Sequence, residues 1–398
     1  MLESNVILAW LIVTGYALVV AGWWARHALI SLTRPFDLFV DPARPEDVTA
    51  RVSVIVPARN ESRRIAGCIE SLLEQGSVLH ELIVVDDRSE DDTADRVRTL
   101  ARGDPRLRIL RIKELPEGWA GKAHACERGG AAAESEWLLF TDADCRFEPG
   151  GLAGAVRYAE RRQADMLSLW LAADNRGFWE HMLIPLCGAM ILYWFPPLRA
   201  NRRSSPLGYA NGQFILIRRE AYRRIGGHAC ARATVIEDIP LAQHAKRSGL
   251  RLLTALGPQI AAVRMYTNFR EIRDGWARIF VGALQRPWKL LASVGSLLGG
   301  SLLPSLGAPL AAIVCLRQGW PAANLYRAIV LLLGLHFAAV YSVSYRVWGL
   351  CRCQRRHLWL YPVSTVVVIA ILLRGWWWMA VRRPIIWRGT RTGSRTET

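Results

Sequence analysis

The sequence predicts an α/β protein with a mostly parallel central sheet and with membrane-spanning helices towards both ends. Short apolar strands alternate with amphipathic helical stretches between residues 50 and 285, an order typical of parallel sheets covered on both faces. Long uncharged runs occupy residues 6–25 and much of the chain after residue 290. Of the 398 residues, 52% are hydrophobic although 21% are charged, so we expect apolar membrane segments attached to a globular part.

The first apolar run, VILAWLIVTGYALVVAGWWA, covers residues 6–25 and has about the 20 residues that cross a bilayer. A cleaved signal peptide fits less well, because the preceding MLESN has no basic residue and no small-residue cleavage site follows. Arg26, His27 and Arg34 flank the far end of the run. The positive-inside rule therefore predicts an anchor over residues 1–28, with the following chain in the cytoplasm.

The middle of the chain repeats a strand–turn–helix plan. RVSVIVPARNES predicts a strand over 52–56 that ends at Pro57, followed by a helix over 63–74. ELIVVDDRSEDDTADRVRTL predicts a strand over 82–85, then an acidic turn and another helix. Further strands are predicted over 107–111 and 137–140.

Polar turns follow three of these strands, at Pro57–Glu61, Asp86–Ser89 and Asp142–Asp144. Because ligands of such sheets bind beyond the carboxyl ends of the strands, we expect the three turns to line one crevice. Asp142 and Asp144 form an Asp-x-Asp (DXD) pair whose side chains point the same way if the chain stays extended. Paired carboxylates suit Mg²⁺ or Mn²⁺, whereas an isolated pair of this kind is more simply a solvated acidic turn.

Late apolar blocks predict a C-terminal membrane bundle over residues 290–380, followed by a basic tail over 381–398. If the last block spans the bilayer, the basic residues before it and those of the tail lie on opposite sides. Two explanations stay open: the first block, with Pro304 and Pro309, is re-entrant, or the region Trp376–Trp378 lies along the interface. The blocks cover residues 290–316, 327–345 and 358–380.

The net charge of +17 could indicate a nucleic-acid partner. Much of the excess lies beside the apolar blocks, where Lys and Arg meet anionic lipid headgroups. No RNA- or DNA-binding motif accompanies the charge. We therefore expect a membrane partner and no nucleic acid.

Six motifs follow one another between residues 50 and 280: SVIVPARNE, IVVDDRS, GWAGK, FTDAD, NGQFILIRREAYRRIGG and VIEDIPLA. In order and spacing they resemble the family-2 glycosyltransferases, whose catalytic part is a GT-A domain, a Rossmann-like nucleotide-sugar-binding fold. FWEHMLIP, RMY, REIRDGW and IIWRGT further resemble the membrane-bound subgroup associated with hopanoid and carotenoid glycosylation. The resemblance implies a GT-A domain over 50–285, facing the cytoplasm, in an integral protein of the cell (inner) membrane.

The resemblance also implies an activity: inverting transfer of a sugar from a nucleotide-sugar donor, UDP-linked, to a hydroxyl of a lipid or isoprenoid acceptor. In this family the second carboxylate of the pair is the main ligand of Mn²⁺ or Mg²⁺, so Asp144 would take that role. Asp142 would reach the ribose or a metal-bound water. Asp86 would accept a hydrogen bond from the uracil ring, and Glu61 or the backbone near Pro57 would hold the ribose.

Three further residues receive roles from the same resemblance. Lys122 would place a positive charge beside the diphosphate, although a surface lysine before a helix is the simpler alternative. Glu237 and Asp238 precede a helix predicted over 239–248, where acidic residues also serve as caps. Transfer to a hydroxyl with inversion needs one base, and the resemblance assigns Asp238 to it, with Glu237 beside it in the catalytic site.

The acceptor pocket is the least determined part of the prediction. The helix predicted over residues 178–200 contains Pro185 and several aromatic residues that favour membrane interfaces. We predict that it lies in the interface and receives the lipid acceptor, with a buried core helix as the alternative. His228 is as readily a structural histidine as a pocket residue. The residues expected at the pocket are Gly212, Gln213, His228 and Trp276.

Two other functions share this kind of domain. A processive polysaccharide synthase would have a Q-x-x-R-W motif, and neither GWARIF nor QRPW matches it. A membrane scaffold without activity would have no reason to keep Asp142, Asp144 and Asp238 together.

A function of a different class is also excluded. A dinucleotide oxidoreductase would need G-x-G-x-x-G after the first strand, and this motif is absent from the sequence there.

Overall fold

The computed structural model describes residues 2–31, 38–234, 236–303, 305–306, 310, 313, 323–382, 385–387 and 390–392. Contacts divide the chain into two compact units. The sheet unit comprises Leu38–Asn175, Ile191–Thr267 and Trp378–Thr398, and the helical unit comprises Met1–Asp37, Arg176–Met190 and Asn268–Trp377. The predicted boundaries of anchor, catalytic domain, bundle and tail stay predictions.

One large sheet dominates the sheet unit. Its strands are β1 (Val52–Ala58), β2 (Leu79–Asp87), β3 (Leu107–Ile112), β4 (Trp137–Phe140), β5 (Cys145–Phe147), β6 (Met166–Ala173), β7 (Ile215–Arg218) and β8 (Leu252–Val263). Their order across the sheet is β3-β2-β1-β4-β7-β6-β8-β5. A separate antiparallel pair joins β9 (Ile385–Trp387) and β10 (Thr390–Thr392).

The predicted α/β class is confirmed, and the sheet is mixed. Strands β3, β2, β1 and β4 are parallel neighbours, as are β6 and β8. Antiparallel pairing joins β4 to β7, β7 to β6, and β8 to β5. The strands with polar turns after them thus lie in the parallel half, where the carboxyl ends of β1, β2 and β4 meet at one edge.

The helices have these bounds: α1 (Leu2–Ser31), α2 (Ile65–Leu73), α3 (Thr93–Ala101), α4 (Gly121–Ala132), α5 (Gly151–Arg161), α6 (Phe178–Trp194), α7 (Pro197–Ala200), α8 (Arg219–Arg224), α9 (Asp238–Arg247), α10 (Phe269–Leu284), α11 (Pro287–Leu297), α12 (Ala323–Leu350) and α13 (Tyr361–Ala380). The helices predicted over 63–74 and 239–248 are present as α2 and α9. Strands β1 to β4 likewise confirm the four predicted strands.

Strand β1 shows why its sequence forms a central strand. Val54 and Val56 enter one hydrophobic cluster, whereas Ile55 enters another on the opposite face of the sheet. All three side chains are fully buried. A run of β-branched residues without polar alternation is what a strand covered on both faces requires.

Three helical segments of the described chain are long and apolar enough to cross a membrane: Phe178–Ala200, Arg327–Leu350 and Arg355–Ala380. The last two include the apolar blocks predicted over 327–345 and 358–380. Helix α6 continues through Pro185. Pro304 and Pro309, on which the re-entrant alternative depends, lie outside the described residues.

Candidate active site

The turns that follow β1 and β2 are joined by hydrogen bonds. The backbone N–H of Asn60 donates to Ser89 Oγ at 3.0 Å, and that of Glu90 donates to Asn60 Oδ1 at 2.8 Å. The N–H of Ser62 donates to Asp91 Oδ2 at 3.2 Å. The structure therefore brings two of the predicted polar turns together at the carboxyl edge of the parallel strands.

The third polar turn, after β4, is folded back on itself. The N–H of Cys145 donates to the carbonyl oxygen of Asp142 at 3.2 Å, which closes a turn over Ala143 and Asp144. The chain is therefore not extended here, so the condition under which the side chains of Asp142 and Asp144 would point the same way is not met. As a result the two acids have different neighbours.

Asp144 has both acidic and basic side chains as neighbours. Its Oδ2 is 3.7 Å from Arg64 Nη1, whereas its Oδ1 is buried and has no hydrogen-bond partner among the described residues. Burial, followed by the charges of Asp142 and Glu61, raises the pKa of Asp144 to about 7, although Arg64 and Lys122 oppose the shift. An orphaned carboxylate oxygen beside other acids is what a cation would satisfy.

These acids fit a divalent cation that is only partly enclosed by protein. In the part of the chain described, no three His, Cys, Asp or Glu side chains are placed to hold a metal by themselves. Mg²⁺ commonly takes one or two carboxylates and completes its shell with water and substrate phosphates. Asp144 and Asp142 are the residues that would hold such an ion.

Lys122 connects the acidic turn to the start of α9. Its Nζ is 2.8 Å from Asp142 Oδ1 and 2.8 Å from Glu237 Oε1. Burial alone would lower the pKa of Lys122, but the charges of Asp142 and Glu237 hold it well above its usual value. The lysine is therefore a fixed positive charge between the predicted metal-binding and catalytic acids.

Asp238 is held by two backbone donors at the beginning of α9. The N–H of Gly212 donates to its Oδ2 at 2.7 Å, and the N–H of Ile239 donates to its Oδ1 at 2.7 Å. Burial, followed by the charge of Glu237, raises the pKa of Asp238 to about 7 against the opposing effects of Lys122 and the two N–H groups.

The side chains of Lys122, Glu237 and Asp238 all approach Gly212. A Cβ atom at this position would lie 2.9 Å from Lys122 Nζ, 3.2 Å from Asp238 Oδ2 and 3.3 Å from Glu237 Oε1. The absence of a side chain lets the ammonium group and both carboxylates approach one backbone segment. The structure thus brings Gly212, Lys122, Glu237 and Asp238 together.

The residues predicted for the nucleoside lie at the ends of β1 and β2. Asp86 is fully buried, accepts a hydrogen bond from the N–H of Ser89 at 3.1 Å, and lies 3.2 Å from Arg111 Nε. Pro57 is half-buried in β1, and Glu61 follows in the turn. Arg111 was not among the residues predicted from the sequence. It pairs directly with Asp86 in the register of β2 and β3, which only a correct alignment of those strands would have indicated.

The four residues predicted at the acceptor pocket lie in different elements of the chain. Gln213 is 8% exposed, and its Oε1 accepts a hydrogen bond from Asn211 Nδ2 at 3.1 Å. His228 is fully buried and bonds to Tyr222. Trp276 lies in α10 of the helical unit, buried, with its ring 5.6 Å from that of Phe280. The acceptor role of these residues stays a prediction.

Comparisons with known proteins agree with the motifs. Residues 53–226 match the family model described as Glycosyl transferase family 2. A 4,4'-diaponeurosporenoate glycosyltransferase of Staphylococcus aureus (strain MRSA252) is 28% identical over 266 residues, which are 64% of this chain and 68% of the relative. The enzyme of the same name from Staphylococcus haemolyticus (strain JCSC1435) is 28% identical over 256 residues, or 63% of this chain and 66% of the relative.

Two solved structures show more distant likeness. A mannosyltransferase from Pyrobaculum calidifontis in complex with GDP-Man and Mn²⁺ is 21% identical, with a TM-score of 0.47 over 82% of this chain and 97% of that one. A glucosyl-3-phosphoglycerate synthase from Mycobacterium tuberculosis, with Mn²⁺, uridine diphosphate and glucosyl-3-phosphoglycerate, is 19% identical, with a TM-score of 0.39 over 60% and 82%. The family match confirms the resemblance read from the motifs over residues 53–226, and the mixed sheet with its helices agrees with the predicted α/β class.

Proposed function

We propose that the protein is a membrane-bound, metal-dependent, inverting glycosyltransferase. It takes a sugar from a nucleotide donor, UDP-linked, and transfers it to a hydroxyl of a lipid or isoprenoid acceptor of the carotenoid type. The observation that supports this most is the convergence of Lys122, Glu237 and Asp238 on Gly212. This convergence places the ammonium group of Lys122 near the half-buried carboxylate of Asp238, whose pKa is raised. Departure of a diphosphate requires a positive charge, and activation of a hydroxyl requires a base.

On the donor side, Asp144 and Asp142 would hold Mn²⁺ or Mg²⁺ against the diphosphate. When bound, the metal ion would neutralise negative charge as the nucleotide leaves. Lys122, 2.8 Å from Asp142, adds a charge that is already oriented before the donor arrives. Asp86, near the end of β2, and Glu61, in the turn after β1, would hold the base and the ribose.

On the acceptor side, Asp238 would remove the proton of the attacking hydroxyl. A base works best when its pKa lies near the operating pH, and burial beside Glu237 moves Asp238 towards that value. The N–H groups of Gly212 and Ile239 fix its orientation. Glu237 is paired with Lys122, so we assign it the task of holding that lysine and assign proton removal to Asp238.

Transfer to a carboxylate instead of a hydroxyl is a second candidate reaction. The relatives carry the name diaponeurosporenoate glycosyltransferase, and the ending of diaponeurosporenoate denotes a carboxylate. A carboxylate is already ionised at neutral pH and needs no base. Transfer to a carboxylate should therefore survive Asp238→Asn, whereas transfer to a hydroxyl should not.

The proposal is tested with the purified full-length protein in detergent, membrane lipid extract, and UDP- or GDP-linked sugars, each with Mn²⁺ or with a chelator. Mass spectrometry identifies the glycosylated lipid, and NMR of the new anomeric centre reports inversion or retention. We expect lipid-linked product with an inverted anomeric centre that requires the metal. A soluble polymer would instead indicate a polysaccharide synthase, and no transfer from any donor would indicate a scaffold.

We place the protein in the cell (inner) membrane with the catalytic domain in the cytoplasm, where nucleotide sugars are available. Three apolar helices support membrane association. Resistance of the protein to extraction by alkaline carbonate tests integration into the membrane. Cys230, an exposed cysteine of the sheet unit, tests the orientation: an impermeant thiol reagent should label it only after the cells are opened, and Cys230→Ser should remove that label.

A further inference from the structure

A buried hydrogen-bond network lies beside the proposed catalytic residues. Tyr222 Oη is 2.8 Å from His228 Nδ1 and 3.2 Å from Glu127 Oε2. The same Glu127 oxygen accepts a hydrogen bond from the backbone N–H of His228 at 2.7 Å. We call the side chains of Glu127, Tyr222 and His228 the clamp. They share one phenolic and one carboxylate oxygen, so loss of any member disturbs the other two.

The clamp joins the two segments that hold the donor-side and acceptor-side residues. Glu127 lies in α4, whose first turn contains Lys122. His228 lies in the short 3₁₀ turn Gly227–Ala231, which leads into α9 and Asp238. A displacement of this turn relative to α4 would therefore change the position of Lys122 relative to Asp238.

A backbone contact joins the same two segments a few residues away. The N–H of Ala120, directly before α4, donates to the carbonyl oxygen of Arg232 at 2.6 Å. The clamp adds further hydrogen bonds between α4 and the turn, so the two segments are joined at more than one place.

Two glycines show how closely the clamp is packed. Gly227 has φ of +61°, and a Cβ there would lie 2.5 Å from Glu127 Oε2. A Cβ at Gly130 would lie 2.8 Å from the ring of Tyr222. Glu127 and Tyr222 therefore pack directly against the backbone at these two glycines.

His228 takes part in the clamp as a neutral imidazole. Burial, followed by the charge of Lys122, lowers its pKa to about 3. Its ring also packs edge-on against Phe140, at the end of β4, with centroids 4.7 Å apart. A neutral ring contributes hydrogen bonds and packing without placing a second positive charge near Lys122.

We propose that Glu127, Tyr222 and His228 are positioning residues, which hold Lys122 and Asp238 at the separation that sugar transfer requires. This inference rests on the proposed function, in which Lys122 faces the diphosphate and Asp238 the acceptor. The clamp acts through α4 and the Gly227–Ala231 turn and is not assigned a contact with either substrate. Misplacing reacting groups by about 1 Å can lower a rate about 100-fold, so a small loosening is measurable.

The test compares Glu127→Ala, Glu127→Gln and Tyr222→Phe in the full-length enzyme. Two control variants alter the same residue types elsewhere in the sheet unit: Glu136→Ala, whose carboxylate forms an exposed ion pair with Arg218, and Tyr158→Phe in α5. Melting temperature is measured for each variant, and kcat and KM are determined well below the lowest of them. Any loss of folded protein is thereby separated from a loss of rate.

We expect Glu127→Ala and Tyr222→Phe to lower kcat/KM about tenfold or more while the controls stay within about twofold. Glu127→Gln should recover most of the loss, because its amide oxygen still accepts from the N–H of His228. A purely structural clamp would lower the melting temperature and leave kcat/KM of the folded enzyme unchanged. That result, or equal losses in Glu127→Gln and Glu127→Ala, would overturn the inference.

A failure of the proposed function is distinguishable from a failure of the clamp. If the wild-type protein transfers no sugar, the function is wrong, and amide hydrogen exchange then decides about the clamp. Tyr222→Phe should accelerate exchange at the N–H of Ala120, whose bond to Arg232 the clamp supports, and Tyr158→Phe should not. Unchanged exchange at Ala120 would overturn the clamp independently of activity.

Discussion

The ammonium nitrogen of Lys122 lies 2.8 Å from Oε1 of Glu237. The side chain of Glu237 is 5% exposed and that of Lys122 is 18% exposed, so the pair is largely removed from water. Removing one partner of a buried ion pair leaves the other charge without compensation. The pair therefore links the stability of this region to the placement of a cation for the donor diphosphate.

Lys122→Met should reduce both stability and donor binding. We expect a loss of about 3 kcal/mol in unfolding free energy, because Glu237 would remain buried without its cation. Adding Glu237→Gln to the variant should recover stability but not donor affinity. Thermal melts and calorimetric titration with UDP measure the two effects, and Lys113→Met, at an exposed lysine, is the control. If Lys122→Met changed stability and UDP affinity no more than Lys113→Met does, Lys122 would not have the assigned role beside the diphosphate.

Gly212→Ala should impair catalysis more than stability. The new methyl group would meet Lys122 Nζ at 2.9 Å and Asp238 Oδ2 at 3.2 Å, so one or both must move. We expect kcat to fall by about 10- to 100-fold. Gly103→Ala is the matched control, since its methyl group would meet only the carbonyl oxygen of Leu100 at 3.5 Å. Equal activity of the two variants would show that the contacts at Gly212 are not required.

The pH dependence of transfer should report Asp238. A base must be ionised, and the raised pKa of about 7 means that protonation inactivates it at lower pH. At saturating Mn²⁺, which would keep Asp144 ionised, kcat/KM for a hydroxyl acceptor should therefore fall about tenfold per unit below pH 7. Asp238→Asn should lose about 100- to 10,000-fold. A flat profile from about pH 5 to 8 for a stable enzyme would rule out Asp238 as the base.

Local sequence patterns predicted the elements around the site but not the contacts between them. The strand over 137–140 and the α9 helix after Glu237 follow from runs of apolar residues and from helical periodicity, which are local properties. The sequence predicted a turn at Asp142–Asp144 but not whether it is extended or closed, because the hydrogen bond from the N–H of Cys145 to Asp142 competes with extension there. Periodicity does not determine which of the two arrangements is lower in free energy.

Contacts between side chains from distant parts of the sequence could not be predicted from the sequence alone. Arg111 faces Asp86 because of the register of β2 and β3, and Tyr222 meets Glu127 because α4 packs near the Gly227–Ala231 turn. Neither residue belongs to a recognisable spacing. The predicted pairing of Lys122 with the diphosphate likewise contained no sign that Glu237 would hold the lysine in place.

The stability of the protein in acid should depend on His228. Its folded-state pKa of about 3 lies below the unfolded value of about 6.5, so folding excludes a proton that the unfolded chain binds. This contribution to stability is present above pH 6.5 and is lost as the pH falls through 3, at up to about 1.4 kcal/mol per pH unit.

A variant without the titrating ring isolates this effect. His228→Asn should be less stable than the wild type at pH 8, and the difference in melting temperature should shrink as the pH is lowered towards 4. Other groups, such as Asp144 and Asp238 with their raised pKa values, titrate in both proteins and cancel in the comparison. A difference that is independent of pH would contradict a neutral, buried His228.

The central claim is that acidic side chains after β4 bind a divalent cation together with a nucleotide. Calorimetric titration of the full-length protein with UDP, with and without Mn²⁺, tests it most directly. We expect the metal to tighten binding by about tenfold or more in the wild type and in Asp95→Asn, an exposed control, but not in Asp144→Asn. Nucleotide affinity that does not respond to the metal, or that Asp144→Asn leaves unchanged, would contradict the account.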